Sequence, residues 1–528
     1  MIMSANNKSN CRNLSVMRLL LLLLTPYLAV SFPESAIVHA KENYAVITSR
    51  DTKADIIYKA ANVVPSPQQY AWQKMEYIAF VHFGMNTFTS QELGSGQESR
   101  DLFNPTDLNC DQWARIFKEA GMKMAILTAK HHDGFCLWPS KFTKHSVKFS
   151  PWKDGKGDVV REFVNACRKY GLKVGLYLSP WDRNNPSYGT PEYNQYYMNQ
   201  LKELLTNYGK IDEIWFDGYK GPEAKNEEYD WHVYYRLIRR LQPNIVISIS
   251  GPDVRWVGTE TGYGRDSEWD VLPIDLSKLT EEKIENDSHP LDDVFLPQNY
   301  MGEDLGDRDK LYDAKGLFWY PAETDVSIRP GWFYKASQDT MVKSVSELVD
   351  IYFNSVGKNS VLLLNVPPDG RGLITDYDKR ALMGLHKVIK ETFSHNFARN
   401  AKAKIDNHPD EQSFSSLFGK GKCWSGEEGL DTSVIEFILP KEETLDVAML
   451  QEDIRIGQRI EKFRIDYWDG ESWNKLVEGT TVGYKRLLRF DPVNTSRVRL
   501  VIEKSRSNPS LANLGLYWLP AQYLNTSK

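Results

Sequence analysis

Cysteine is scarce in this chain of 528 residues, which contains only five. Their spacing fits neither a zinc site nor the dense disulfide pattern of a small secreted scaffold. No His-x-x-x-His pair and no glutamate-rich helix offers a further set of metal ligands. We therefore expect free and mostly buried thiols, with a single disulfide as the alternative, and we predict neither a metal nor a cofactor.

Two further absences narrow the classes of function. Lys and Arg total 65 against 70 Asp and Glu, and the net charge of −5 leaves no positive excess for nucleic acid or an anionic membrane. No Gly-x-Gly-x-x-Gly motif follows the first predicted strand, which disfavours dinucleotide binding. With 41% hydrophobic and 26% charged residues, the composition is that of a soluble globular protein, and the length indicates two or three domains.

The N-terminus has the pattern of an export signal. Basic residues precede an apolar run over residues 19–24, which continues to residue 30 after a Thr-Pro interruption. The run is too short to span a membrane comfortably, and Val-His-Ala at residues 38–40 suits a signal peptidase. We predict a signal peptide over residues 1–40, with cleavage near Ser31 as the alternative. The exported protein would be periplasmic or secreted, with no membrane span after cleavage.

Short apolar runs alternate with amphipathic segments in the middle of the chain, which predicts parallel strands joined by helical crossovers. The predicted strands are residues 77–83, 122–128, 173–179, 213–217, 245–250, 316–320 and 360–366. The predicted helices are residues 110–120, 159–170, 193–208, 229–241 and 340–354. Seven or eight such units favour a closed (β/α)8-like, TIM-type barrel over an open sheet, and we assign residues 41–398 to this barrel.

The pattern changes near residue 400 to short segments that alternate apolar and polar residues. These segments are residues 434–439, 460–468, 481–490, 497–503 and 514–518. They predict an antiparallel β-sandwich over residues 399–528. Residues 459–470 resemble a strand and turn of discoidin-type jelly rolls. Such a module either supports the barrel or binds sugars, and we favour support.

Four predicted barrel strands end in polar side chains. These side chains are His82, the pair His131 and His132, Tyr177 and Asp217. Catalytic groups of (β/α)8 enzymes lie at the carboxyl ends of the strands. A neutral imidazole offers one donor and one acceptor, which matches a sugar hydroxyl. The alternatives are a helix cap for Asp217, and a metal site or an ordered loop for the His-His-Asp segment.

A second carboxylate is harder to assign. Retaining glycoside hydrolysis needs two carboxyl groups about 5–5.5 Å apart, one ionised and one protonated. Glu260 lies in a glycine-flanked loop that could reach over a pocket, while Glu268 and Glu323 compete for the same role. Trp332 follows a turn near the same rim, where it would pack against a sugar or in the core.

Together these residues resemble the α-L-fucosidases of glycoside hydrolase family 29. The likeness covers residues 76–373. It rests on His-Phe-Gly at 82–84, Lys-His-His-Asp-Gly-Phe at 130–135, Trp-Phe-Asp-Gly at 215–218 and Leu-Leu-Leu-Asn at 362–365. The resemblance implies a retaining double displacement in which Asp217 is the nucleophile. It implies fucose-binding roles for His82, His131, His132, Tyr177 and Trp215, and places Trp332 near the sugar methyl group.

Residues 255–262 resemble the subgroup selective for α-1,3 and α-1,4 linkages, in which the glutamate of a Trp-Val-Gly-x-Glu segment is the acid/base. Glu260 is therefore the predicted acid/base, with Glu268 as the alternative. We expect burial and the charge of Asp217 to raise the pKa of Glu260. The resemblance implies an exo-α-L-fucosidase acting on a fucosylated oligosaccharide or glycoconjugate. The alternatives are a non-catalytic fucose-binding barrel, a broad-specificity α-L-fucosidase and a retaining hydrolase for another sugar.

Overall fold

A computed structural model describes residues 42–218, 220–221, 229–406, 408 and 410–520. The predicted signal peptide lies outside these residues. These described residues all belong to one compact unit. Among the described residues, no helix has the length and apolar character needed to cross a membrane.

The strands and helices are numbered in chain order. The strands are β1 (Tyr44–Val46), β2 (Tyr77–Val81), β3 (Met124–Lys130), β4 (Lys173–Leu178), β5 (Glu213–Phe216), β6 (Val246–Ile249), β7 (Arg255–Trp256), β8 (Val271–Pro273), β9 (Gly316–Trp319), β10 (Ala322–Ser327), β11 (Ser360–Asn365), β12 (Lys402–Ile405), β13 (Gln412–Ser413), β14 (Trp424–Ser425), β15 (Ser433–Gln451), β16 (Ile460–Trp468), β17 (Trp473–Gly479), β18 (Arg486–Ser505), β19 (Ser510–Leu511) and β20 (Asn513–Tyr517). The helices are α1 (Lys53–Ala60), α2 (Pro67–Gln73), α3 (Met85–Thr89), α4 (Cys110–Glu119), α5 (Val159–Lys169), α6 (Glu192–Asn207), α7 (Trp231–Leu241), α8 (Glu281–Asn286), α9 (Arg308–Leu311), α10 (Val345–Asn354), α11 (Asp376–Thr392) and α12 (Phe414–Phe418).

Eight parallel strands form the predicted barrel. Their order is β2, β3, β4, β5, β6, β7, β10 and β11, and β11 pairs again with β2. The ring closes between β6 and β7 through a parallel bridge of Ser248 with Val254, where the Ile249 N–H donates to the Val254 carbonyl (2.8 Å). Apolar side chains including Phe80, Ile126 and Leu363 fill the interior, as expected for strands buried on both faces.

The helices outside the barrel follow the predicted amphipathic segments. Helices α4, α5, α6, α7 and α10 fall on the five segments named from the sequence. Their starts are fixed by caps: Asp158 accepts from the Arg161 N–H (2.8 Å) at α5, and Ser344 with Glu347 forms a capping box at α10. Each such helix buries an apolar face against the strands.

The prediction for residues 316–320 is wrong in its placement. They form β9, which pairs antiparallel with β1 and β8 in a separate three-stranded sheet. The barrel strands in this part of the chain are β7 and β10, which the sequence pattern does not predict. Strand β7 has only two residues, and β10 carries the buried acids Glu323 and Asp325. Neither therefore shows the apolar run by which strands are recognised.

An antiparallel β-sandwich is predicted from residue 399 onward, and the structure has antiparallel sheets in this region. The sheet order is β13, β12, β15, β18, β16 and β17, and β20 also pairs with β15. The sequence predicts separate strands at residues 481–490 and 497–503, but the structure has one long strand there, β18. Register breaks between β15 and β18 allow both halves of β15 to enclose one apolar cluster.

This C-terminal sheet contacts the barrel at the amino-terminal ends of its strands. Lys485 forms an ion pair with Glu76 (2.6 Å), which precedes β2. The Asn359 N–H, just before β11, donates to the Lys485 carbonyl (3.0 Å). These contacts lie at the end of the barrel opposite the carboxyl ends of the strands.

Candidate active site

The eight residues predicted to form the site come together at the carboxyl ends of the barrel strands. These residues are His82, His131, His132, Tyr177, Trp215, Asp217, Glu260 and Trp332, and we call the region they surround the barrel mouth. A chain of direct contacts joins all eight. The ring of His131 lies 4.2 Å from that of His132 and 5.5 Å from that of His82, measured between centroids. The ring of His82 in turn lies 5.0 Å from that of Trp332.

Asp217 follows β5 and is partly open to solvent, with 26% of its side chain exposed. The Tyr177 hydroxyl donates to its Oδ2 (3.0 Å), and the Nε2 atom of His132 lies 3.7 Å from the same oxygen. The Tyr177 hydroxyl holds the carboxylate in place while leaving it reachable from the barrel mouth. Such an oxygen can attack an electrophilic carbon of a bound ligand.

Asn365 at the end of β11 orients His82. The amide nitrogen of Asn365 donates to the Trp332 carbonyl (2.8 Å), so its Oδ1 faces Nδ1 of His82 (2.9 Å). Because that oxygen can only accept, Nδ1 of His82 carries the proton and Nε2 is an acceptor. Burial lowers the pKa of His82 to about 3, which keeps the ring neutral near neutral pH.

Ser179 performs the same function for His132. The Ser179 hydroxyl donates to the Trp181 carbonyl (2.7 Å) and lies 2.7 Å from Nδ1 of His132. Because the hydroxyl proton is donated to the Trp181 carbonyl, the serine oxygen can only accept from His132. Nδ1 of the neutral ring therefore carries the proton and donates it to the serine oxygen. Burial also lowers the pKa values of His131 and His132. Neutral histidines at the mouth can accept hydrogen bonds from ligand hydroxyls.

Aromatic rings line the barrel mouth. Tyr177 stacks on Trp215 with centroids 5.2 Å apart, and the Trp215 indole N–H donates to the Glu323 carboxyl group (2.7 Å). Phe333 lies edge-on to His131, 5.0 Å between centroids. Flat apolar faces of this kind suit the C–H surface of a sugar.

Glu260 lies beyond β7 at the exposed rim, where its Oε2 accepts from the Trp332 indole N–H (3.3 Å). Partial burial raises the pKa of Glu260 above its usual value. The indole hydrogen bond opposes this shift, and the negative charges of Asp217 and Glu92 reinforce it. A carboxyl group whose pKa is raised beside a second carboxyl group is suited to general acid catalysis.

Glu268 and Glu323, the two other candidates for the acid/base, lie in surroundings that differ from those of Glu260. Glu268 is 1% exposed and forms an ion pair with Arg255. Its N–H donates to Thr481 (2.9 Å) of the C-terminal region. Glu323 is buried inside the barrel, where burial and the charge of Glu213 raise its pKa well above the usual range. Neither side chain lies at the exposed rim.

Several residues of the mouth escape prediction from the sequence. Glu92 accepts from the Trp332 N–H (2.9 Å), and its negative charge acts on Glu260. Asp325 on β10 accepts from the Trp256 indole N–H (2.7 Å). The sequence does contain a signal for Asp325. Glu323 and Asp325 are two residues apart, so in a strand both side chains lie on one face, and the chain continues from there to Trp332 at the rim.

The described residues do not meet the requirements of a metal site. Among them, no group of three or more His, Cys, Asp or Glu side chains could hold a metal ion. A cleft of about 340 Å³ lies at the amino-terminal ends of β4, β5 and β6, where Trp72, Lys173 and Asp212 help to line it.

Comparison with known proteins gives consistent matches. A family profile described as Alpha-L-fucosidase matches residues 44–391. Alpha-L-fucosidase 1 of Arabidopsis thaliana is 44% identical over 468 residues, which are 86% of this chain and 87% of that protein. The crystal structure of a Bacteroides ovatus protein is 46% identical, with a TM-score of 0.80 over 92% of this chain and 79% of that one. A Ruminococcus gnavus fucosidase of glycoside hydrolase family 29, in complex with fucose, is 31% identical with a TM-score of 0.76, over 87% of this chain and 96% of that one.

Proposed function

The chain belongs to the α-L-fucosidases of glycoside hydrolase family 29, and on this premise we propose that it is a retaining exo-enzyme for α-1,3- and α-1,4-linked L-fucose. It is thus a glycoside hydrolase, and the alternative of a non-catalytic fucose-binding barrel is discarded. The observation that carries the proposal is the partly exposed Asp217 at a mouth whose rim holds Glu260, a carboxyl group with a raised pKa.

In the first step the Asp217 carboxylate attacks the anomeric carbon of fucose. A carbon–oxygen bond forms between Asp217 and the sugar while the bond to the glycosidic oxygen breaks. Glu260 donates its proton to that departing oxygen. The neutral His82 and His132 accept hydrogen bonds from sugar hydroxyls, and Trp332 covers an apolar part of the ring.

In the second step water displaces Asp217 from the anomeric carbon. Glu260, now ionised, takes a proton from water, and the water oxygen bonds to the anomeric carbon. The ester bond to Asp217 breaks, which restores the carboxylate. Two inversions at one carbon release fucose with the anomeric configuration of the substrate.

Glu260 is preferred to Glu268 as the acid/base for a physical reason. A proton donor must reach the glycosidic oxygen, and Glu260 lies at the rim in contact with Trp332. Glu268 is enclosed, and its side chain is engaged in an ion pair with Arg255. It therefore lacks access to the glycosidic oxygen.

The linkage preference rests on residues 255–262, which resemble the α-1,3/1,4-selective subgroup. The substrate would be a fucosylated oligosaccharide or glycoconjugate glycan, and the balanced charge argues against nucleic acid as a partner. The basic and apolar N-terminus supports export to the periplasm or the medium.

Product analysis on matched oligosaccharides tests this assignment. Trisaccharides that carry one fucose in α-1,2, α-1,3 or α-1,4 linkage are incubated side by side, and the anomer first released is read by proton NMR. We expect rapid release of α-fucose from the α-1,3 and α-1,4 isomers and slow release from the α-1,2 isomer. Initial release of β-fucose, or equal rates on all three isomers, overturns the mechanism or the linkage respectively.

Chemical rescue separates the two carboxyl groups. With azide and a fucoside bearing a good leaving group, Glu260→Ala should regain turnover and yield α-fucosyl azide, since azide attacks the fucosyl ester from the side that Glu260 vacates. Asp217→Ala should instead yield β-fucosyl azide by direct displacement. The matched control is Glu268→Ala, for which no azide product is expected. Azide product from Glu268→Ala but not from Glu260→Ala reassigns the acid.

A further inference from the structure

The segment that carries Glu260 is fastened to strand β10 on both sides by one residue. Before the segment, the Trp256 indole N–H donates to the Asp325 carboxyl group (2.7 Å). After it, the Gly262 N–H donates to the Asp325 carbonyl oxygen (3.1 Å). Asp325 thus accepts a hydrogen bond from each end of residues 257–261.

We propose that Asp325 is a positioning residue for Glu260: the hydrogen bond from Trp256 to its carboxyl group, added to the backbone bond from Gly262, clamps the segment and holds the proton donor over the barrel mouth. This role rests on the proposed function of Glu260 as the acid/base. The segment needs a further restraint because β7 is short. Only Arg255 and Trp256 pair with β10 before the chain leaves the sheet. Two ladder positions alone give little restraint to the loop that follows.

Two glycines define the path of the clamped segment. Gly258 has φ +98°, and a Cβ there would lie 2.6 Å from Cβ of Met301. Gly262 has φ +77°, and a Cβ there would lie 2.9 Å from side-chain atoms of Val326 and Ile351. The chain leaves and returns through left-handed conformations in tight surroundings. The intervening residues therefore have a defined course, and the clamp at Asp325 fixes its ends.

The surroundings of Asp325 fit a positioning role better than a catalytic one. The residue is 4% exposed, and one oxygen of its carboxyl group, Oδ1, is engaged by the Trp256 indole. Burial raises its pKa to about 7, and the charges of Glu260 and Asp217 act in the same direction. Asp325 is thus enclosed and within electrostatic reach of both catalytic candidates.

The test is the dependence of activity on the leaving group. A mispositioned acid matters when the departing oxygen needs a proton and matters little when it does not. For Asp325→Ala we expect kcat/KM on an α-1,3/1,4-fucosyl oligosaccharide to fall roughly 10- to 100-fold. On 2-chloro-4-nitrophenyl α-L-fucoside the same variant should stay within about threefold of the parent enzyme, since that leaving group departs unprotonated.

Further variants separate the hydrogen bond from other effects. Asp325→Asn keeps an oxygen acceptor for the indole and should recover most of the oligosaccharide activity. Trp256→Phe removes the donor and should reproduce the selective loss, and the double variant Asp325→Ala/Trp256→Phe should be no worse than the worse single variant. Trp256→Phe also tests the clamp if Asp325→Ala does not fold.

Matched controls come from the opposite end of the barrel. Asp270 is equally buried and accepts from Gln73 (3.2 Å) and Asn359 (3.1 Å), while the Trp319 indole N–H donates to Gln73 (3.0 Å). Asp270→Ala and Trp319→Phe remove the same kinds of hydrogen bond away from Glu260. They should lower the melting temperature without a leaving-group-dependent loss.

Three results overturn the positioning role. They are an equal loss on both substrates in Asp325→Ala, no loss on either, or the same selective loss in Asp325→Asn. Glu260→Ala measured in parallel distinguishes this failure from failure of the proposed function. If azide does not rescue Glu260→Ala, the assignment of Glu260 falls and the role of Asp325 falls with it. If azide does rescue it, an unselective Asp325→Ala refutes only the clamp.

Discussion

At the scale of single residues, the histidines of the mouth depend on partners that are remote in sequence. His82 is oriented by Asn365, 283 residues away, and His132 by Ser179, 47 residues away. The sequence predicts the histidines because each follows an apolar strand. It cannot predict their tautomers, since these depend on partners that only the closed barrel brings into contact.

The first prediction concerns the pH dependence of Glu260→Gln. A general acid must be protonated, so kcat/KM of the parent on an oligosaccharide falls as pH rises through the raised pKa of Glu260. The glutamine variant should be slower by roughly 100-fold or more and should lack this alkaline limb. Initial rates across the pH range measure both effects. Glu268→Gln should keep the limb, and an unchanged limb in Glu260→Gln contradicts the assignment.

At the scale of the elements, the strands that carry apolar runs are predictable, including those that end in His82, Tyr177 and Asp217, whereas the two-residue β7 and the acid-bearing β10 are not. Strands β2, β3 and β11 are fully buried and read as continuous apolar segments. Strand β10 instead points Glu323 toward the Trp215 indole and Asp325 toward that of Trp256, inside the barrel. Polar residues buried for function remove the signal that identifies a strand.

The second prediction concerns the return of the Glu260 segment to β10. Gly262→Ala should destabilise the protein by about 1–2 kcal/mol, because a side chain is unfavourable at φ +77°. The added methyl group would also press on Val326 and displace the segment, so kcat on oligosaccharide should fall while KM changes little. Denaturant unfolding and steady-state kinetics measure the two effects.

Gly421 provides the matched control for this substitution. It has φ +76° and nothing within 4 Å of an added Cβ, and it lies in the C-terminal region. Gly421→Ala should therefore show only the part of the loss of stability that is due to φ, with unchanged kinetics. If Gly262→Ala keeps full activity despite its loss of stability, the return at Gly262 does not position Glu260.

At the scale of the whole molecule, the sequence predicts a barrel followed by an antiparallel sheet, and the structure has both. The assignment of residues 1–40 to a signal peptide and the domain bounds at residues 398 and 399 stay predictions. What the sequence cannot predict is the junction. Buried polar groups join the two regions there, as Gln458 accepts from the Asp270 N–H (2.8 Å) and donates to the Glu268 carbonyl (2.9 Å). These contacts lie at the amino-terminal end of the barrel, which favours support over sugar binding for this face of the sheet.

The third prediction concerns stability at this junction. Burial raises the pKa of Asp270 to about 7, against 3.8 in an unfolded chain. Between these values the folded state retains a proton that the unfolded state has lost, so this group lowers the unfolding free energy of the parent as pH rises. Asp270→Asn does not titrate. Its stability relative to the parent should therefore increase from pH 5 to pH 8, by at most about 3 kcal/mol.

Denaturant unfolding of both proteins at the two pH values measures this change. The control is Asp275→Asn, since Asp275 is exposed and its pKa is lowered by Ser277 and Lys315. Asp275 is ionised in both states over this range, and no such trend is expected. A constant or falling relative stability of Asp270→Asn contradicts the account of the junction.

The central claim is that the carboxylate of Asp217 bonds to the anomeric carbon during turnover. Incubation with a 2-fluoro fucosyl donor, followed by proteolysis and mass spectrometry, tests it most directly, because the fluorine slows release of the ester. We predict one fucosyl adduct per chain, on the peptide that contains Asp217, and none in Asp217→Asn. An adduct on another side chain, or turnover of the donor with no adduct and an inverted product, would contradict the account.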